Sequence, residues 1–129
     1  DVSVKNTGDV DAFIRAAVVV NWVDTEGNVF AAKPKTDGYT IEFAENSKWY
    51  EGNDGYFYYT SAVAPDENTG LLIESCQVIS ENTPEGYYLS VEILSSAVQA
   101  SPDRVVGEVW SNDEVTVTAS DGTLTVTNK

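Results

Sequence analysis

The residues best suited to chemistry in this chain are aromatic and acidic. Trp49 and Tyr50, then Tyr56, Tyr58 and Tyr59, lie within eleven positions of one another, with the carboxylates Glu51 and Asp54 between them. Aromatic faces beside carboxylates suit the stacking and hydrogen bonding of sugar rings, so Trp49, Tyr50, Tyr56 and Tyr58 are the candidate ligand surface, with a glycan or peptide as ligand. The competing reading is structural: along an extended strand Phe57 and Tyr59 point to one face and Tyr56 and Tyr58 to the other, which is ordinary packing. Asp9 with Asp11, and Asn53 with Asp54, offer oxygen ligands for calcium, but neither run has the spacing of a calcium loop and turn chemistry accounts for both.

Other reactive groups are scarce. The chain has no histidine, which removes imidazole general bases and His-Glu-x-x-His zinc sites. Its one cysteine, Cys76, has no cation close in sequence to lower its pKa, and we expect it in the core of a strand. Twenty-one acids make paired carboxylates uninformative as a hydrolase signal. No Gly-rich phosphate loop or Ser-His-Asp set occurs. The reading is therefore of a protein that is not an enzyme, without cofactor or metal.

Seven Lys and Arg against the acids leave a net charge of −14, with only Lys33 and Lys35 close together. Such a field repels phosphate backbones and anionic membranes, so no nucleic-acid partner is expected. No apolar run approaches the roughly 20 residues of a membrane span, so no membrane insertion is expected either.

The elements that must position these residues alternate with period two between turn signals, the pattern of an all-β chain. Val2 to Lys5 reads as a short strand and Asn6-Thr7-Gly8-Asp9 as its turn. Phe13 to Val23 is a long strand whose middle, Ala16 to Val20, is continuously apolar and so covered on both faces. Arg15 interrupts it and should pair with an acid or cap backbone carbonyls, because a buried unpaired charge costs several kcal/mol. Asp37-Gly38 precedes a strand at Tyr39 to Phe43. Gly52 to Gly55 joins Lys48-Trp49-Tyr50 to Tyr56 through Thr60. Thr69 to Ile79 and Tyr87 to Gln99 are long strands, and Ser101 and Pro102 start one short helix over 102–110. Asp121-Gly122 closes a hairpin between Glu114 to Thr118 and Thr123 to Thr127. Trp22 and Trp110 belong to the core. We expect one domain over 1–129, a two-sheet antiparallel sandwich of jelly-roll type. Because the first strand begins at residue 1, a leader and a further strand are expected before it.

Several blocks carry a resemblance. Val4-Lys5-Asn6-Thr7-Gly8-Asp9-Val10-Asp11-Ala12-Phe13-Ile14-Arg15, then Trp49 with Asp54-Gly55-Tyr56-Phe57-Tyr58-Tyr59, then Ala64 to Leu72, then Ala97 to Ala100 with Trp110, stand in the order seen in the TasA/camelysin family. The chain resembles that family of SipW-type exported Gram-positive surface proteins. The resemblance implies a jelly-roll-like sandwich, a location outside the cell or at the cell surface, and in some members fibres of a biofilm matrix. Camelysin-like members are classed as metallopeptidases, a role at odds with the missing histidine. The expectation is a structural protein that associates with itself or with other surface proteins by β-strand addition. The strand-accepting edges are expected at the chain ends, at Val2 and Val4 and at Leu124 and Val126.

Overall fold

A computed structural model describes residues 1–32, 34, 38–45, 47–79 and 82–129. The Lys33 and Lys35 pair and Asp37 lie outside the described residues. The chain forms an antiparallel all-β sandwich with one short helix: β1 (Ala12–Val23), β2 (Tyr39–Phe43), β3 (Trp49–Glu51), β4 (Phe57–Tyr59), β5 (Ile73–Val78), β6 (Tyr88–Gln99), α1 (Arg104–Trp110), β7 (Val115–Ser120) and β8 (Thr123–Asn128). A four-stranded sheet in the order β3-β4-β1-β6 is accompanied by two two-stranded sheets, β2-β5 and β7-β8.

β1 is the spine of this arrangement. Alternation sends Phe13 and Arg15 to one face of the central sheet and Ile14, Ala16 and Val18 to the other. On the first face Phe13 packs with Tyr58 of β4, Val106 and Trp110 of α1, and Val115, Val117, Leu124 and Val126 of the β7-β8 hairpin. On the second, Ala16 and Val18 pack with Leu72, Ile73 and Ile41, joined by Val2, Trp49 and Phe57. The central sheet is thus covered on both faces along the first part of β1, from Ala12 to Ala16, whereas Ala17 to Val20, expected to be covered on both faces, are only half-buried because neither cluster extends over them fully. Trp22 and Trp110 are buried.

Local chemistry sets the connections. The Asn6 side chain is buried and organises the turn before β1: its Nδ2 donates to the Val10 and Val63 carbonyls at 2.9 and 2.8 Å, and its Oδ1 accepts from the Gly8 N–H at 2.9 Å. At the β7-β8 turn Asp121 and Gly122 both have positive φ, 50° and 78°, the backbone that an Asp-Gly pair adopts with least strain. The helix begins later than its Ser-Pro signal suggests: Asp103 is the N-cap, and it makes no side-chain capping bond.

Three expectations are corrected here. Val2 to Lys5 makes isolated bridges to Ile73 and Asn68, not a strand of its own. Cys76 is exposed. It pairs with Ile41 in the two-stranded β2-β5 sheet, which is too small to enclose both of its faces. Among the described residues no acid lies at salt-bridge distance from Arg15, and its guanidinium lies against aromatic rings instead.

Candidate functional site

The aromatic cluster does not form one platform. Tyr58 is fully buried, and its hydroxyl accepts a hydrogen bond from Arg15 Nη1 at 3.3 Å while donating to Asp54 Oδ2. Tyr56 lies on the same face with its ring 3.9 Å from the Arg15 guanidinium carbon, and the Trp110 ring lies 5.0 Å from it. Trp49 belongs to the opposite face, where its Nε1 donates to the Gly70 carbonyl at 3.0 Å and its ring leans on Tyr59. Tyr50 is exposed at the rim, its hydroxyl accepting from Asn128 Nδ2 at 3.3 Å. The alternation of β3 and β4 splits the four residues between two faces, so their rings converge on no common groove.

Asp54 serves as a structural hub. Its carboxylate accepts from the Tyr58 hydroxyl, from Asn112 Nδ2 at 3.0 Å and from the Tyr56 N–H at 3.2 Å. Partial burial opposes its ionisation, yet these donors hold its pKa below the ordinary value. Burial, reinforced by the hydrogen bond to Asp54, pushes the Tyr58 phenol up to about 12. Arg15 Nε is buried without a hydrogen-bond partner. Sequence reasoning placed Arg15 correctly in β1 but could not supply the three rings around it, because they come from β4, its preceding turn and α1. Among the described residues no group of three or more His, Cys, Asp or Glu converges to hold a metal ion. Among the described residues no helix is long and apolar enough to cross a membrane.

The main-chain edges separate more sharply than the side-chain clusters do. The N-terminal positions expected to accept a strand are already paired: Val2 donates to the Ile73 carbonyl and accepts from the Leu72 N–H, while Val4 donates to Thr69 Oγ1 and accepts from the Thr69 N–H. At the C-terminal end the Leu124 N–H is taken by the Thr60 carbonyl, and the side chains of Leu124 and Val126 are buried in the core. Val2, Val4 and the N–H of Leu124 are thus occupied from within, since a sequence shows that a strand ends the chain but not what lies beside it. β7 is protected by side chains. Ser111 Oγ accepts from the Val117 N–H at 2.9 Å and donates to the Val117 carbonyl at 3.3 Å, and Asn112 Oδ1 accepts from the Val115 N–H at 3.1 Å.

β6 has no such protection. It pairs with β1 along all twelve of its residues, from Ala12 with Gln99 to Val23 with Tyr88, and it ends the central sheet. The Ala100 N–H donates to the Asp11 carbonyl, so in this unbroken register the even-numbered residues of β6 bond to β1. The odd-numbered ones, Leu89, Val91, Ile93, Ser95, Ala97 and Gln99, therefore turn their N–H and C=O groups outward. No hydrogen bond reaches those groups from the described residues. Native edges are blunted by Pro, Lys, bulges or short length, whereas β6 has no Pro, no Lys, no bulge and a single charge, Glu92. The other edge strands are short, with three residues in β3, five in β2 and six in β5.

Beside the C-terminal half of this edge lies a groove of about 400 Å³. Its walls are Val4 to Gly8 of the N-terminal segment and Ser95 to Gln99 of β6, with Ala12 and Ile14 as floor. Small side chains on β6 keep it open, so the arrangement can do what an unpaired strand edge does: accept another strand by backbone hydrogen bonding, with a shallow groove to read its side chains. No protein-family model, no curated protein and no solved structure matches the chain.

Proposed function

We propose that this is a non-enzymatic structural protein of the extracellular matrix or cell surface of a Gram-positive bacterium, and that it self-associates by β-strand addition along the outer edge of β6. The observation that carries the reading is the twelve-residue edge itself, almost uncharged and with no hydrogen bond to its outward groups among the described residues, in a molecule whose other edge strands are short or, in β7, capped by side chains. The TasA/camelysin-like blocks of the sequence support the location and the structural role. A surface charge of −14 keeps such an edge from indiscriminate aggregation at neutral pH and gives association a dependence on acidity and salt.

The test uses the direction of the β6 main chain. Ser95→Pro removes an outward N–H and no bond to β1, so it should leave the fold intact and abolish association measured by sedimentation velocity across a concentration series. Ala97→Lys, which adds a charge to the same edge, should act likewise. Association that proceeds unchanged in both variants would refute the reading.

A further inference from the structure

We infer that the strand β6 receives is β6 of a second copy, antiparallel about a two-fold axis centred on Leu94, so that two central sheets fuse into one of eight strands. This rests on the strand-addition reading above and names its partner and register.

The outward main-chain groups sit on odd-numbered residues, so an antiparallel partner must place odd residues opposite odd ones in hydrogen-bonded pairs. A centre at Leu94 sets Leu89 opposite Gln99 of the second copy, Val91 opposite Ala97 and Ile93 opposite Ser95, and the same pairs recur on the other side of the axis. All six outward residues are then bonded. Side chains agree with this register on both faces of the sheet. On the Ile14 face each large residue of one copy meets a small or flexible one of the other, and Leu89, Val91 and Ile93 come to lie beside the groove lined by Ser95, Ala97 and Gln99. The two-fold axis lets each copy fill the groove of its mate.

On the Arg15 face the centre brings Leu94, 54% exposed in the monomer, against Leu94 of the second copy. This is a non-hydrogen-bonded pair, the closer of the two antiparallel pairings. Glu92, the one charge on β6, falls opposite neutral Ser96, away from its own symmetry mate. Ser96 is the β1 neighbour of Arg15, so Glu92 of the second copy arrives on the same face as Arg15, two strands and about 10 Å away. The nearest facing charges are thus of opposite sign, which favours this register over one centred on Glu92, where two carboxylates would confront each other directly. An axis of this kind gives a self-complementary, closed contact.

Cysteine cross-linking decides the register. In a Cys76→Ser background, which removes the native thiol, Leu94→Cys should oxidise to a covalent dimer, because facing non-hydrogen-bonded positions approach disulfide distance. Ile93→Cys should not, because its facing residue is Ser95. Glu92→Arg, with like charges toward Arg15, should weaken dimerisation at least tenfold. If Ser95→Pro abolishes association but Leu94→Cys links no better than Ile93→Cys, the two-fold register is wrong while strand addition stands. If the protein stays monomeric at millimolar concentration, or associates regardless of Ser95→Pro, both fall.

Discussion

The hydroxyl of Tyr58 stands between opposite charges, donating to the Asp54 carboxylate and accepting from Arg15 Nη1. Through it a cation near the start of β1 is coupled to an anion in the turn before β4, with the Tyr56 and Trp110 rings closing over the guanidinium. Asp54 passes the connection on to Asn112, whose Oδ1 receives the N–H groups of Glu114 and Val115 at the start of the last hairpin. The central sheet and the β7-β8 layer are therefore joined by polar contacts as well as by the core they share.

Asp54→Ala removes the acceptor for three donors. It should lower stability by about 2 kcal/mol, the usual scale for hydrogen bonds to a charged group. A chemical-denaturation midpoint reads this directly, and a loss within error of zero would show that Asp54 is not the hub.

Acid should act at the same place. The folded-state pKa of Asp54 lies below its unfolded value, so its contribution is present above the unfolded value near 3.8 and is lost as pH falls through the folded one. Wild type should lose stability relative to Asp54→Asn on descending below pH 4 or so. Parallel curves for the two proteins would contradict this.

Alkali tests Tyr58. Its pKa is raised from 10.0 to about 12, so the unfolded chain ionises first and stability falls as pH rises from the lower value to the higher. Phenolate absorbance should show a tyrosine titrating late in the folded protein, and Tyr58→Phe should remove that late step. Equal titration of all tyrosines near pH 10 in the folded state would refute it.

Gly107 of α1 faces β7 so closely that a Cβ there would lie 2.6 Å from the Val117 carbonyl oxygen. Because the obstacle is backbone, Gly107→Ala must push the helix off the hairpin, at a cost of about 1–3 kcal/mol despite the better helix propensity of alanine. Thermal unfolding measures it, and a stabilised variant would contradict the packing.

Ser111→Ala strips the hydroxyl that serves both main-chain groups of Val117. We expect a loss of about 1–2 kcal/mol and faster aggregation, since a second edge is then uncapped. Light scattering under conditions where wild type stays clear reports the second effect.

Much of the fold was legible in local pattern. Period-two alternation from Tyr39 to Phe43 and from Thr123 to Thr127 marks strands because successive side chains must point to opposite faces, and Asp121-Gly122 marks the hairpin turn because few other pairs accept positive φ. The apolar run in β1 suggested burial on both faces through Val20, but the two clusters bury it fully only as far as Ala16. The site was much less legible. Ring counts near Trp49 suggested a platform that strand alternation divides, and Cys76 looked interior because a thiol within a strand usually serves as a small buried apolar group, although its sheet has only two strands.

The residues themselves determined that this chain folds as strands, that it carries an excess of acid, and that it lacks imidazole chemistry, since each follows from side-chain type and period. Tertiary structure alone decided which edge is open. Backbone pairing depends on what lies alongside a strand, and neither the capture of Val2 by Ile73 nor the exposure of β6 leaves any mark on the order of residues within those segments.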